Sequence, residues 1–273
     1  METLRLERDG HVVWLRLHRP ERLNAFTIEM WREMAELGAE LREDPDVRAL
    51  VVIGEGRAFS SGIDTSVFST DAFSNTGFGS LPGAGQRHEN PRADAILSAQ
   101  EAYNWLEDAP FATIAAVRGY ALGAGLQLAL ACDLRIVARG TRLGLLEFKY
   151  GIIPDLGGTQ RLPRLVGPGR AKEMIFTAGQ IDADEAGRIG LAERVVEDVE
   201  LETAAGELAA RIAAQPPLAL RHAKRAVNAS WDLPLREGLR VEAEGQAVCL
   251  GSADMGEALA AFVEGREPRY QGK

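Results

Sequence analysis

Gly119-Tyr-Ala-Leu-Gly-Ala-Gly-Leu-Gln-Leu-Ala-Leu-Ala-Cys-Asp133 decides how this chain is read. Three glycines, Gly119, Gly123 and Gly125, fall within seven residues, and a nearly unbroken apolar run from Leu126 to Ala131 follows. A glycine-rich turn that feeds an apolar helix leaves the first backbone N–H groups without intrahelical partners, at the positive end of the helix dipole. That arrangement suits an anion, either a bound phosphate or an oxyanion formed during a reaction. Gln127 is the one polar side chain in the run, one turn in and on the face of Ala124.

Working outward, Thr113–Val117 and Leu134–Val137 read as short strands on either side of this helix. Val12–Leu17 alternates and is rich in β-formers, with Arg19-Pro20 as its stop. Thr27–Arg42 is an amphipathic helix with Met30, Trp31, Met34, Leu37 and Leu41 on one stripe. Val47–Ile53 reads as a buried strand. Strands alternating with helices predict an α/β core with parallel pairing. From about Asp198 the pattern turns helical: Leu201–Ala214, Leu218–Ser230, Leu235–Leu250 and Ala253–Glu264. The expected organisation is therefore an α/β core over 1–197 and a helical C-terminal region over 198–273. Thr65–Asp94, full of Gly, Ser, Asn and Pro, reads as a long loop lying as a lid on the substrate side.

The chain has 273 residues and a formal charge of -9, with a pI near 5.1. This balance argues against nucleic acid or an anionic membrane as the main partner. Cys132 and Cys249, the only cysteines, sit in apolar helical contexts and read as buried free thiols of a reducing compartment. No apolar run reaches the roughly 18 residues of a membrane span, and the N-terminus lacks a signal-peptide core. A soluble, cytoplasmic protein is expected.

Several residues could carry chemistry. Ala58-Phe-Ser-Ser-Gly-Ile-Asp64 follows a strand, and Gly62 suits a tight turn. Read with the Gly123 turn, it offers a second backbone N–H from Ile63, and two donors converging on one oxygen make an oxyanion hole. Glu147 stands in apolar company, either as an outward-facing strand-end residue or as a buried base with a raised pKa. Asp155, in Ile153-Pro-Asp-Leu-Gly-Gly158, reads as a Pro-Asp turn residue or a helix N-cap. Gly123-x-Gly125 lacks the third glycine of a dinucleotide fingerprint, and neither a P-loop nor a nucleophile elbow is present. The four histidines show no metal-ligand spacing, so no metal is expected.

Five segments share a further likeness: Arg19-Pro-Glu-Arg-Leu-Asn-Ala-Phe26, Phe59-Ser-Ser-Gly-Ile-Asp64, Ile114-Ala-Ala-Val-Arg-Gly-Tyr-Ala-Leu-Gly-Ala-Gly125, Gly157-Gly-Thr-Gln-Arg-Leu-Pro163 and Ala260-Ala-Phe-Val-Glu264. Together they resemble the crotonase superfamily, the enoyl-CoA hydratases and isomerases, over essentially the whole length. The resemblance implies a spiral of ββα units followed by a helical trimerisation region, and hence a homotrimer or a homohexamer built from two trimers. It implies an acyl-CoA substrate and no resident cofactor, with the thioester oxygen held by the backbone N–H groups of Ile63 and Ala124. Polarising that oxygen stabilises an enolate, so that a proton α to the carbonyl can move.

The resemblance also marks a departure. The family's best-known hydratases use two glutamates; the second is present as Glu147, but the first position holds Gln127. Double-bond isomerases of the family work with one glutamate at the Glu147 position, and dienoyl-CoA isomerases add an acid at the position of Asp155. The leading expectation is a C=C shift with Glu147 as acid/base, Asp155 as second acid or orienter and Gln127 as a hydrogen-bonding group. Hydration, with Gln127 holding a water and Glu147 and Asp155 dividing the proton work, is the alternative, as is a crotonase-fold protein that binds CoA without catalysis. By resemblance, Arg22 and Leu23 lie near the CoA nucleotide, the backbone around Ala58, Ile63 and Asp64 lies near the adenine and pantetheine, Gly123 belongs to the substrate site, and Phe262 reaches the CoA of a neighbouring subunit.

Overall fold

The computed structural model describes residues 1–69, 78, 81 and 88–273. Its first sheet starts with the antiparallel pair β1 (Leu4–Asp9) and β2 (Val12–Leu17), and continues with β3 (Ala49–Gly54) and β4 (Ala112–Val117) in parallel. A small second sheet opens with β5 (Tyr120–Leu122). Strand β6 (Leu134–Ala138) returns to the first sheet, β7 (Arg142–Gly144) and β8 (Ile181–Asp182) complete the second, and β9 (Arg194–Val196) closes the first. The resulting orders are β1-β2-β3-β4-β6-β9 and β5-β7-β8.

Every residue of β3 and β4 is buried, as parallel strands covered on both faces require. One face, through Leu50 and Val52, joins the main core with helix α1 (Ile28–Glu43). On the other face, Ala49, Val51 and Ile53 pack against Leu201, Ala205 and Ala209 of a later helix (Leu201–Ala213). The α1 helix starts where Thr27 accepts a hydrogen bond from Met30 N, and it buries Met30, Trp31, Met34, Leu37 and Leu41. Helix α2 (Pro91–Asp108) packs on α1, and α3 (Ala124–Ala131) is buried at all eight positions. Helices α4 (Gly158–Val166), α5 (Pro168–Thr177) and α6 (Ala183–Arg188) fill the segment before β9. The remaining helices are α7 (Leu201–Ala213), α8 (Pro217–Ala229), α9 (Leu235–Leu250) and α10 (Ala253–Glu264).

Sequence patterning placed β2, α1, β3, β4, β6 and α7–α10 within about two residues of their observed bounds. It missed β1, the small sheet, α2 and α4–α6. Helix α2 buries Ala95, Ala99 and Ala102 as much as large side chains, so its apolar stripe is weak in the sequence. The expected Thr65–Asp94 loop is in part structured: Thr65–Ser69 is a 3-10 turn and α2 begins at Pro91, capped by Asn90. Residues 70–77, 79, 80 and 82–87 of that stretch lie outside the described residues, and with them most of the proposed lid. Both cysteines are free, but only Cys132 is buried; Cys249 is half-buried, because α9 buries little beyond Gly245. Among the described residues, no helix is long and apolar enough to cross a membrane.

Candidate active site

Two turns meet because the strands before them run side by side. Phe59 N donates to Arg118 O (2.9 Å), Ser60 N to Tyr120 O (2.9 Å), and Leu122 N to Ser60 O (3.0 Å). This parallel ladder delivers Gly62 and Gly123 to the same end, both with positive φ (107° and 51°). A Cβ at Gly62 would stand 3.0 Å from Leu122 O, and one at Gly123 would stand 3.3 Å from Glu147 Oε1. Glycine at these points therefore allows both the left-handed backbone and the close approach. Ile63 and Ala124 follow directly. Among the described residues, neither N–H has a hydrogen-bond partner; Ala124 is the first residue of α3, where the helix supplies none. Both residues line one pocket of about 120 Å³, together with Leu146, Glu147, Phe68 and Tyr150.

Glu147 enters this pocket from a 3-10 turn, Glu147–Tyr150, that follows β7. It is only 6% exposed. Its Oε1 accepts a hydrogen bond from Gln127 Nε2 at 2.7 Å, whereas its buried Oε2 has no partner among the described residues. The amide is itself locked: Gln127 Oε1 accepts from Leu156 N (2.8 Å) and Gly158 N (2.9 Å). Those two donors require the oxygen on that side and turn the NH₂ toward the carboxylate. Burial pushes the Glu147 pKa up to about 7; the Gln127 hydrogen bond holds it down in part, and the charge of Asp155 adds to the rise. One oxygen is thus fixed and the other bare, on a carboxyl whose raised pKa suits proton transfer in either direction near neutral pH.

Asp155 stands close enough to act on Glu147 electrostatically, and burial raises its own pKa. It is half-buried and does not line the pocket; its backbone oxygen accepts from Gln100 Nε2 of α2 at 2.5 Å. Of the residues expected at the CoA, Ile63 and Gly123 line the pocket, while Ala58 is buried and does not line it. Leu23 (φ 50°) accepts from Ser61 N, and Arg22 is exposed. Asp64 is occupied: it accepts from Ser66 N and from Arg19 Nη1 (3.0 Å), which hold its carboxyl below the usual range. Phe262, 87% exposed on α10, lies away from this pocket.

Sequence reasoning missed three contributors. Asn24, fully buried, donates to Glu55 O and Ala58 O and accepts from Arg19 N, stitching the 19–26 segment to the donor turn. Its signal was the polar residue inside Arg22-Leu-Asn-Ala25. Phe68 and Tyr150 line the pocket but sit in turns, where an aromatic residue carries no periodic signal.

The amino-acid sequence matches the family described as Enoyl-CoA hydratase/isomerase over residues 7–273. The chain belongs to that family. It is similar to the short-chain-enoyl-CoA hydratase of Clostridium acetobutylicum, 37% identical with 96% of this chain and 95% of that protein covered. Its fold is that of the enoyl-CoA hydratase from Bacillus anthracis, with a TM-score of 0.88 at 35% identity, covering 99% of this chain and 100% of that one. A Thermobifida fusca protein solved in complex with acetoacetyl-CoA superposes with a TM-score of 0.79 at 42% identity, covering 91% and 95%. The expected membership of the crotonase superfamily and the α/β fold class are therefore correct.

Within the enoyl-CoA hydratase/isomerase family, the point of interest is what an amide does at position 127. A carboxylate there would satisfy Leu156 N and Gly158 N equally well. Its second oxygen, however, would face Glu147 Oε1 at the present 2.7 Å spacing, which two carboxyl groups hold only when one proton is shared between them, so that both cannot be ionised. Gln127 removes that conflict by donating.

Proposed function

We propose that this protein is an acyl-CoA isomerase that shifts a C=C bond through a thioester enolate, with Glu147 as the acid/base. The Glu147 carboxyl carries this reading: among the described residues its buried Oε2 has no partner, and the residue lines a pocket together with Ile63 and Ala124, whose N–H groups have none either. Glu147 Oε2 takes a proton from C2 of a 3-enoyl thioester while charge builds on the thioester oxygen, which accepts from Ile63 N and Ala124 N. The double bond moves into conjugation, and the same carboxyl returns the proton to C4. A pKa near 7 suits one group for both steps. Gln127 positions Glu147, and Asp155 tunes its charge. The CoA runs past Arg22, Leu23 and the Ala58–Asp64 turn. The Thermobifida fusca complex with acetoacetyl-CoA supports an acyl-CoA ligand.

A second reading, hydration across C2=C3, is favoured by the name of the Clostridium acetobutylicum relative, a short-chain-enoyl-CoA hydratase. Here Gln127, with one N–H left uncommitted, holds a water that Glu147 activates, and Asp155 shares the proton work. Product analysis separates the two. Incubation with trans-3-hexenoyl-CoA is expected to give the 2-enoyl isomer; 3-hydroxyacyl-CoA formed as the main product from trans-2-hexenoyl-CoA, without isomerisation, favours hydration instead. Binding with no product and no α-proton exchange contradicts both.

The C-terminal helices support a proposed homotrimer or hexamer. Leu235, Leu239, Leu259, Phe262 and Val263 present exposed apolar side chains on α9 and α10. In such an assembly Phe262 reaches the neighbouring subunit's CoA. Sedimentation at micromolar concentration is expected to give a trimer or hexamer, and a stable monomer contradicts this.

A further inference from the structure

Two exposed aromatic rings stand at the pocket and take no part in the proton chemistry. Phe68 lies in the 3-10 turn that follows the Ile63 donor, and Tyr150 ends the 3-10 turn that begins at Glu147. Both line the pocket, and their rings stack with centroids 6.3 Å apart and planes 24° from parallel. Phe68 is 53% and Tyr150 71% exposed, so neither ring is needed to complete the core. The stack joins the turn just after one oxyanion donor to the turn that carries the base. Leu122, Leu146 and Ile152 supply the rest of an apolar lining, which includes no cationic side chain among the described residues. At about 120 Å³ the space is small beside the roughly 300–1,000 Å³ of pockets that enclose drug-sized ligands.

We infer that the Phe68–Tyr150 pair sets acyl specificity: the stacked rings close the pocket around a short, uncharged acyl chain, and a longer chain has to part them. This rests on the acyl-CoA reading and narrows it to a substrate class. An acyl chain bearing a carboxylate would meet Glu147 with no cation to offset it. An aromatic pair contributes about 0.5–1.5 kcal/mol beyond its area, so parting it changes affinity by roughly 2- to 12-fold.

Calorimetric titration with saturated butanoyl-, hexanoyl- and octanoyl-CoA tests the filter without depending on which reaction follows. Phe68→Leu, Phe68→Ala and Tyr150→Ala are expected to shift the octanoyl-to-butanoyl affinity ratio toward the longer chain by about 3- to 10-fold. Tyr150→Phe keeps the ring and is expected to keep the wild-type ratio. An unchanged ratio in the leucine and alanine variants overturns the inference, as does a Tyr150→Phe shift equal to that of Tyr150→Ala. Failure of the wild-type protein to bind any of the three overturns the acyl-CoA reading itself.

Discussion

Helix α3 has a carboxylate beyond each end, and the two are treated in opposite ways. At its C-terminal end, Asp133 Oδ2 accepts from Thr113 N (2.8 Å) and Thr113 Oγ1 (3.1 Å), and pairs with Lys224 Nζ (2.8 Å). At its N-terminal end, Glu147 has, among the described residues, one neutral side-chain donor, no cation and an oxygen with no partner. Burial pushes both pKa values up, but at Asp133 the Lys224 charge opposes the rise most strongly, whereas at Glu147 the main opposition comes from hydrogen bonds to neutral groups. A buried acceptor without a partner costs about 1–3 kcal/mol. The Asp133 arrangement ties α8 to the core; that of Glu147 forgoes stability, which suits the acid/base role proposed for it.

The contrast breaks most plainly under substitution. Glu147→Gln is expected to lower α-proton exchange on a bound acyl-CoA by about 10³–10⁴-fold, read by deuterium incorporation. Asp133→Asn is expected to leave exchange within about threefold but to cost about 3 kcal/mol in denaturant unfolding, because Lys224 stays buried without its counter-charge. If the two variants traded these effects, the roles assigned here would be reversed. Ala124→Pro tests the donor pair: proline is tolerated at the first helical position but removes the N–H. Turnover is expected to fall about 10²–10³-fold while the thermal midpoint changes little.

Stability against pH sharpens the comparison further. The folded pKa of Glu147, about 7, lies above its ordinary 4.5, so between these values the folded state binds more protons than the unfolded one. Stability contributed by the protonated form is full below pH 4.5 and is lost as pH rises through 7, by up to about 3 kcal/mol. Glu147→Gln should therefore flatten this slope and be the more stable protein at pH 8, as measured by urea unfolding. The smallest effect belongs to Tyr103, whose fully buried hydroxyl has no partner among the described residues. Tyr103→Phe is expected to change stability by less than about 1 kcal/mol, or to raise it.

Much of the frame was legible in the residues. Ala49-Leu-Val-Val-Ile53 could only be a buried strand, and Thr27 marked a helix start that the structure keeps. The anion-ready turn at Gly123 was likewise visible, as was Glu147 in apolar company. The meeting of Ile63 with Ala124 was not, because it depends on a ladder between segments some 60 residues apart. Gln127 was the deepest gap: in the chain it reads as a missing acid, whereas its partners, Glu147, Leu156 and Gly158, make it the donor that fixes the base. Helices α4–α6 pack through short, interrupted apolar stretches that carry little period.

The central claim is that Glu147 Oε2 moves the α-proton against an enolate held by Ile63 and Ala124. Its most direct test is the rate of deuterium exchange at C2 of butanoyl-CoA, a saturated thioester with no double bond to shift, measured across pH for wild type and Glu147→Gln. Exchange by the wild type is expected to rise through a limb near pH 7 to a plateau, with none above background in the variant. Exchange that persists in Glu147→Gln, or a wild-type limb near pH 4, would contradict that claim.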